Sequence, residues 1–223
     1  MAIAVSLMVA SGCMEADEPA GDPADPTDPT DTPQRPDRPP AGLRAALVPA
    51  RSLPTPGDAP AWSLESTVPG EGRDLASVCQ RTALASLGAT RSVTRQYASG
   101  DLSATHVVAR FGDDVSAGRT YEVLQSWLGQ CGQRLAEQGL EPAEVPAGYT
   151  DVPGVGERAG WSWIAYGPVP GDPDAANIEV QALVHGDERL SWVIWRQVGQ
   201  DYNYPPGQTP AELALPVMAD RLP

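Results

Sequence analysis

Lysine is absent from this 223-residue chain: all 15 basic residues are Arg, set against 29 acidic ones, for a net charge of -14 at pH 7. The uniform use of Arg reflects codon bias in a GC-rich genome. The acidic balance excludes nucleic acid as a partner, because binding a polyanion needs clustered positive charge. Histidine is scarce. His106 and His185 are the only two, and neither has a ligand partner at metal-binding spacing, so neither a metal site nor a cofactor is expected. Catalytic signatures are missing too: the chain holds no GxSxG elbow, HExxH, Walker loop or SxxK. Gly154, Gly156 and Gly160 have the wrong spacing for a dinucleotide fingerprint and precede a strand. Asp172 and Asp174, with Pro between them and no following bidentate Glu, read as a turn and not as a calcium loop. An enzyme is not expected.

What the chain does have begins at its N-terminus, MAIAVSLMVASGC. An apolar run too short to span a bilayer ends in Ala10, Ser11, Gly12 and Cys13. It resembles the lipobox of bacterial lipoproteins, in which small residues precede a Cys that receives diacylglycerol and becomes the mature N-terminus. Here Ala10 stands where Leu is commoner, and no basic residue precedes the run. Residues 14–40 follow with eight prolines, eight acids, two Arg and no Val, Ile, Leu or aromatic residue. Nothing there offsets the entropy of ordering the chain, so the composition predicts a disordered tether. Proline and like charge would extend it, and at about 3.1 Å per residue it could hold a domain up to roughly 80 Å from a membrane. The division expected is a signal peptide over 1–12, an acidic Pro-rich tether over 13–42 and an extracytoplasmic domain over 43–223.

Within that domain the organising segment is 113–139. Tyr121, Leu124, Leu128, Cys131 and Leu135 recur at helical steps, with Asp114 or Ser116 as N-cap and Gly139 as terminator. Gly129 and Gly132 suggest close approach of a neighbour near Cys131. A second helix is expected over 73–87. Strands are expected over 91–99, 103–111, 160–166, 178–185 and 189–198. The last of these is apolar on both faces and therefore central. Thr209, Pro210 and Glu212 form a capping box that opens a terminal helix, which Pro216 should kink or split. Leu47 and Trp62 should anchor the turn-rich stretch 43–72. The fold class is α+β: an antiparallel sheet of about five strands packed against a long helix.

With Cys13 assigned to the lipid, Cys79 and Cys131 remain, each on the inner stripe of an expected helix in an exported chain. They are expected to form one disulfide between helices, the alternative being two buried thiols. Tryptophan is the one chemical excess. Trp161, Trp163 and Trp192 are candidate ligand-binding residues of an aromatic cleft, against the alternative that they only fill the core. His185 is expected exposed at a hairpin tip and His106 on a partly solvated sheet face.

The run VVARFGDDVSAGRTYEVLQSWLGQCG and the later ERLSWVIWRQVGQDYN resemble the strand, helix and final strand of the PknH-like extracellular sensor domains of actinobacterial lipoproteins and receptor kinases. The resemblance covers about residues 75–205. It implies an extracytoplasmic α+β domain with a cleft for an unidentified ligand. This chain departs from it in having one Cys pair where two disulfides would be expected. Three functions follow as expectations. The first is a lipid-anchored, non-catalytic ligand-binding or sensor-like domain whose partners are the membrane and a small-molecule or envelope ligand. The second is an envelope hydrolase using an acid pair such as Asp113 and Glu122. The third is a structural interaction module. A deep cleft, converging carboxylates or a flat apolar patch would favour them respectively.

Overall fold

The computed structural model describes residues 42–71, 75–144, 148–199 and 204–222. Cys13, the signal peptide and the tether up to residue 41 lie outside the described residues. Among the described residues, four α-helices, α1 (Leu43–Ala46), α2 (Asp114–Gly129), α3 (Cys131–Glu137) and α4 (Pro210–Arg221), surround one antiparallel sheet. Its strands are β1 (Ser63–Pro69), β2 (Arg91–Ser99), β3 (Leu102–Arg110), β4 (Glu141–Glu144), β5 (Thr150–Asp151), β6 (Arg158–Gly167), β7 (Ala176–Gly186) and β8 (Arg189–Gly199). Their order is β1-β2-β3-β8-β7-β6-β4, with β5 also pairing to β6. The five expected strands are all present. The sheet is larger than expected because β1, β4 and β5 carry no alternating pattern: β1 is an exposed edge, β4 contains Pro142, and β5 has only two residues.

The apolar residues sort into two cores on opposite faces of the sheet. One gathers Val180, Ala182, Val184, Val193 and Trp195 beneath α4 and the 46–53 stretch. The other places Leu183, Leu190, Trp192 and Ile194 beneath Tyr121, Leu124, Leu128 and Leu135 of α2 and α3. The architecture is thus three-layered, with helices on both faces. Strands β7 and β8 lie at the centre of the strand order, which is why they are apolar on both sides.

The long helix is two. It is capped by Asp113, whose carboxylate accepts the Ser116 N–H at 2.7 Å, and it breaks at Gln130 beside Gly129. Gly148 approaches the Gly129 backbone there. Helix α4 begins with the expected Thr209 and Glu212 capping box, but Pro216 does not split it. Pro216 is exposed, so the carbonyl it leaves without an N–H donor one turn earlier lies toward solvent.

The helix expected over 73–87 does not form among the described residues. A 3-10 turn at Leu84–Leu87 is the only helical piece there, and 75–80 is a series of turns. The backbone N–H groups of this stretch are taken by side chains. Ala76 donates to Gln80 Oε1, Val78 to the Glu179 carboxylate and Cys79 to Ser77 Oγ, and such bonds compete with the helical ladder. The Cys79–Cys131 disulfide is present, with Cα atoms 5.2 Å apart. It joins this loop to the start of α3 and does not link two helices.

On the other face, residues 45–48 are fastened to the sheet and to α4. Val48 N–H donates to His106 Nδ1 at 3.1 Å, and the Tyr97 hydroxyl and Arg95 donate to Val48 O. Arg221 donates to Leu47 O and Ala45 O. Leu47 is wholly buried, and Trp62 packs edge-on against Tyr97 while donating to Pro54 O. His106 is not partly solvated: its exposure is 0 %. Because Nδ1 accepts, the ring proton sits on Nε2 and is donated to Ser191 Oγ at 2.8 Å. Burial, with Arg95 and Arg221 adding to it, pushes the His106 pKa down to about 3. Burial likewise pushes the Tyr97 hydroxyl up to about 12.

Candidate functional site

Helices α2 and α3 cover only part of their face of the sheet. Beyond them the strands carry polar side chains, and the loop 75–80 arches over these to enclose a cleft of about 590 Å³. Its floor is Thr94 and Gln96 from β2, Thr105 from β3, Glu179 from β7 and Arg196 from β8; Glu71, Ser77, Gln80 and Arg134 line its walls. Alternation on β7 explains the floor: Ile178 and Val180 enter the α4-side core, so Glu179 and Gln181 must point to the other side.

Glu179 is the hub. It is 3 % exposed and sits directly opposite Arg196 in the β7/β8 register. Its carboxylate accepts from Arg196 Nε at 2.9 Å, Ser77 Oγ at 2.8 Å and Val78 N at 3.0 Å. Arg196 also donates to Thr105 Oγ1 at 3.2 Å and to the Ala76 carbonyl. The ion pair therefore ties three strands to the loop above them. Behind it, Gln181 Nε2 donates to Glu179 and lies 3.5 Å from Cys79 Sγ, while Gln181 Oε1 accepts from Trp192 Nε1 at 3.1 Å. A buried carboxylate with this many donors is fully compensated, as its burial requires.

The three candidate Trp residues are not brought together. Trp192 is 1 % exposed in the α2-side core, whereas Trp161 and Trp163 lie partly buried against the opposite face. Trp192 belongs to the Glu179 network as a hydrogen-bond donor, and the cleft is polar. Asp113 is spent as the cap of α2, and Glu122 is exposed and paired with Arg158 at 2.9 Å. Both lie outside the residues lining the cleft. Two other carboxylates, Glu71 and Glu179, do line it. Glu71, however, accepts from Gln80 Nε2 at 2.8 Å and from Leu84 N at 2.6 Å, so its oxygens are held by structural donors just as those of Glu179 are. Asp172 accepts the Asp174 N–H within its own turn, as the sequence suggests. His185 is not an exposed tip residue; it is 4 % exposed beneath α2.

Sequence reasoning missed Glu179, Arg196 and Thr105. One signal was there to find: two strands apolar on both faces, IEVQALV and SWVIWRQV, each carry one charge, and the charges are of opposite sign. Charges in such strands need partners.

No protein-family model and no curated protein matches the chain. Among solved structures, the extracellular domain of PknH from Mycobacterium tuberculosis is similar at 12% identity and a TM-score of 0.41, over 77% of this chain and 92% of that one. The likeness is a distant one of fold and assigns neither a ligand nor an activity.

Proposed function

We propose that this chain is an extracytoplasmic lipoprotein, anchored to the membrane through Cys13, whose folded domain is a non-catalytic ligand-binding or sensor-like module. The observation that carries the reading is the polar cleft over Glu179 and Arg196. At about 590 Å³ it falls within the range of small-molecule sites. Its lining offers guanidinium, amide and hydroxyl groups, which suit a small polar ligand rich in hydroxyl or carboxylate oxygens. Export is supported by the Cys79–Cys131 disulfide, a bond that persists in oxidising compartments. The non-catalytic reading is supported by the state of the cleft carboxylates: Glu71 and Glu179 are both occupied by structural donors and neither is free to act as a general base.

Two experiments test this. Native mass spectrometry of the domain, purified from an actinobacterial host, should find a co-purifying small molecule that is lost in Thr105→Ala and Gln96→Ala, variants that leave the Glu179 ion pair in place. A bare polypeptide mass, together with no thermal stabilisation by a library of polar metabolites, would argue against the cleft as a binding site. For the anchor, Cys13→Ala should move the protein from the membrane fraction to the medium. Unchanged membrane association would count against the lipid.

A further inference from the structure

His185 is buried at the end of β7, and neither of its ring nitrogens makes a hydrogen bond among the described residues. Two carboxylates nevertheless lie beside it. Asp114 Oδ1 is 3.2 Å from Nε2 and Glu157 Oε2 is 3.4 Å from Nδ1, off the N–H direction in each case. One ring nitrogen and one oxygen from each carboxylate fall within 4.8 Å of one another. We propose that Asp114, Glu157 and His185 form a divalent-cation site of the zinc class.

An imidazole holds a given ion through one ring nitrogen, so only one of these two distances can be that between two ligands of one metal. The other carboxylate reaches the same ion with an oxygen within 4.8 Å of that nitrogen. Bonds of about 2.0 to 2.1 Å at a tetrahedral angle put ligand atoms roughly 3.3 to 3.4 Å apart, with no donor hydrogen between them. An ordinary hydrogen bond would instead need the oxygen in line with the ring N–H. One imidazole and two carboxylates form a neutral-plus-dianion set that a divalent cation neutralises, and imidazole selects the zinc end of the divalent series over magnesium or calcium. Both carboxylates are exposed, leaving a further coordination position to water.

The surrounding chain holds the three groups in place. Asp114 is the first residue of α2, fixed by the Asp113 cap. The Glu157 N–H donates to His185 O at 3.1 Å. That contact needs Gly156, whose φ is +58 and whose added Cβ would sit 2.9 Å from the same oxygen. Arg158, the nearest cation to follow in sequence, does not neutralise the pair, because it is engaged by Glu122 at 2.9 Å and lies over the Tyr121 ring at 4.5 Å. Spacing in the sequence hides the site, since the three residues come from three separate elements.

Calorimetric titration of the full chain with Zn²⁺ at pH 7.4, after EDTA treatment and dialysis, tests the proposal. One-site binding is expected, weakened at least tenfold by Glu157→Gln and by Asp114→Asn; both are surface changes that should leave the circular dichroism unaltered. Nitrogen-detected NMR of the imidazoles should show a Zn²⁺-dependent shift at His185 and none at His106, which reads the site in the unsubstituted protein. Absence of one-site binding, or binding that neither variant weakens and that leaves the His185 ring unshifted, would overturn it. The imidazole would then be held by its carboxylates alone.

Discussion

Acidification should loosen the fastening of residues 45–48, and the effect can be worked from His106. Its Nδ1 accepts the Val48 N–H, a role open only to the neutral ring, and its folded pKa of about 3 lies far below the ordinary 6.5. The unfolded chain takes up the proton as pH falls through 6.5, and the folded chain does not until near 3. The contribution to stability is therefore fully present above pH 6.5 and is lost on descending from 6.5 towards 3. At pH 5 the unfolded state is 1.5 units below its pKa and the folded ring is still neutral. At about 1.4 kcal/mol per unit, the loss is on the order of 2 kcal/mol.

The assay is urea unfolding of the wild type and of His106→Gln at pH 8, 7, 6 and 5. Gln cannot titrate, so subtracting its curve removes every other group. The variant is expected to be weaker at pH 8, by about 1 to 3 kcal/mol for the buried donors and acceptors it serves less well. That deficit should shrink by about 2 kcal/mol by pH 5. A deficit that stays constant across the series would refute the argument, because it would mean that the folded ring titrates as the unfolded one does.

Three further outcomes follow from packing and cross-linking. Cys79 and Cys131 are 52 residues apart, for which the chain-entropy treatment gives about 4 kcal/mol; the Cys79→Ser, Cys131→Ser double variant should lose about that in denaturant titration, and each single variant about as much as the double. Gly160→Ala would place a Cβ 2.5 Å from both Thr150 O and the Tyr149 ring, so β5 should separate from β6 at roughly 1 to 3 kcal/mol, seen as lost hydrogen-exchange protection at the β5/β6 pairing. Arg196→Met should cost about 3 to 5 kcal/mol by leaving Glu179 buried without its cation, while Arg196→Met combined with Glu179→Met should recover much of the loss in thermal melts.

How much of this can be read in the chain varies with how local the cause is. The β2/β3 hairpin is legible because Gly100 and Asp101 separate two alternating runs, and the α4 capping box because all its residues lie within one turn. The central place of β8 follows from apolar residues on both its faces. The turns at 75–80 defeat the helical pattern of Leu75, Val78 and Cys79, because the groups that capture those N–H donors include Glu179, 101 residues away from Val78. The burial of His106 and His185 escapes a sequence reading for the same reason: it is made by residues 46–48 and by α2, which no local period reveals. The disulfide pairing is legible by counting, but its partner elements are not, since Cys79 lies in a turn.

The cleft roof has two independent anchors, and this decides how a ligand would be felt. One is covalent, from Cys79 to the first residue of α3; the other is polar, from Ser77 and Val78 to Glu179 on the sheet. Arg196 contributes to the second anchor twice, through Glu179 and through the Ala76 carbonyl. A guanidinium has five N–H donors, and each of its three nitrogens already directs one bond, to Glu179, Thr105 and Ala76. A ligand oxygen can take a remaining donor without disturbing the roof, or it can compete with Ala76 and release that end of the loop while the disulfide holds the other. The first case gives binding with an unchanged loop and the second gives binding coupled to movement of 75–78. Hydrogen exchange at Val78 separates them, since its N–H is protected only while Glu179 holds it.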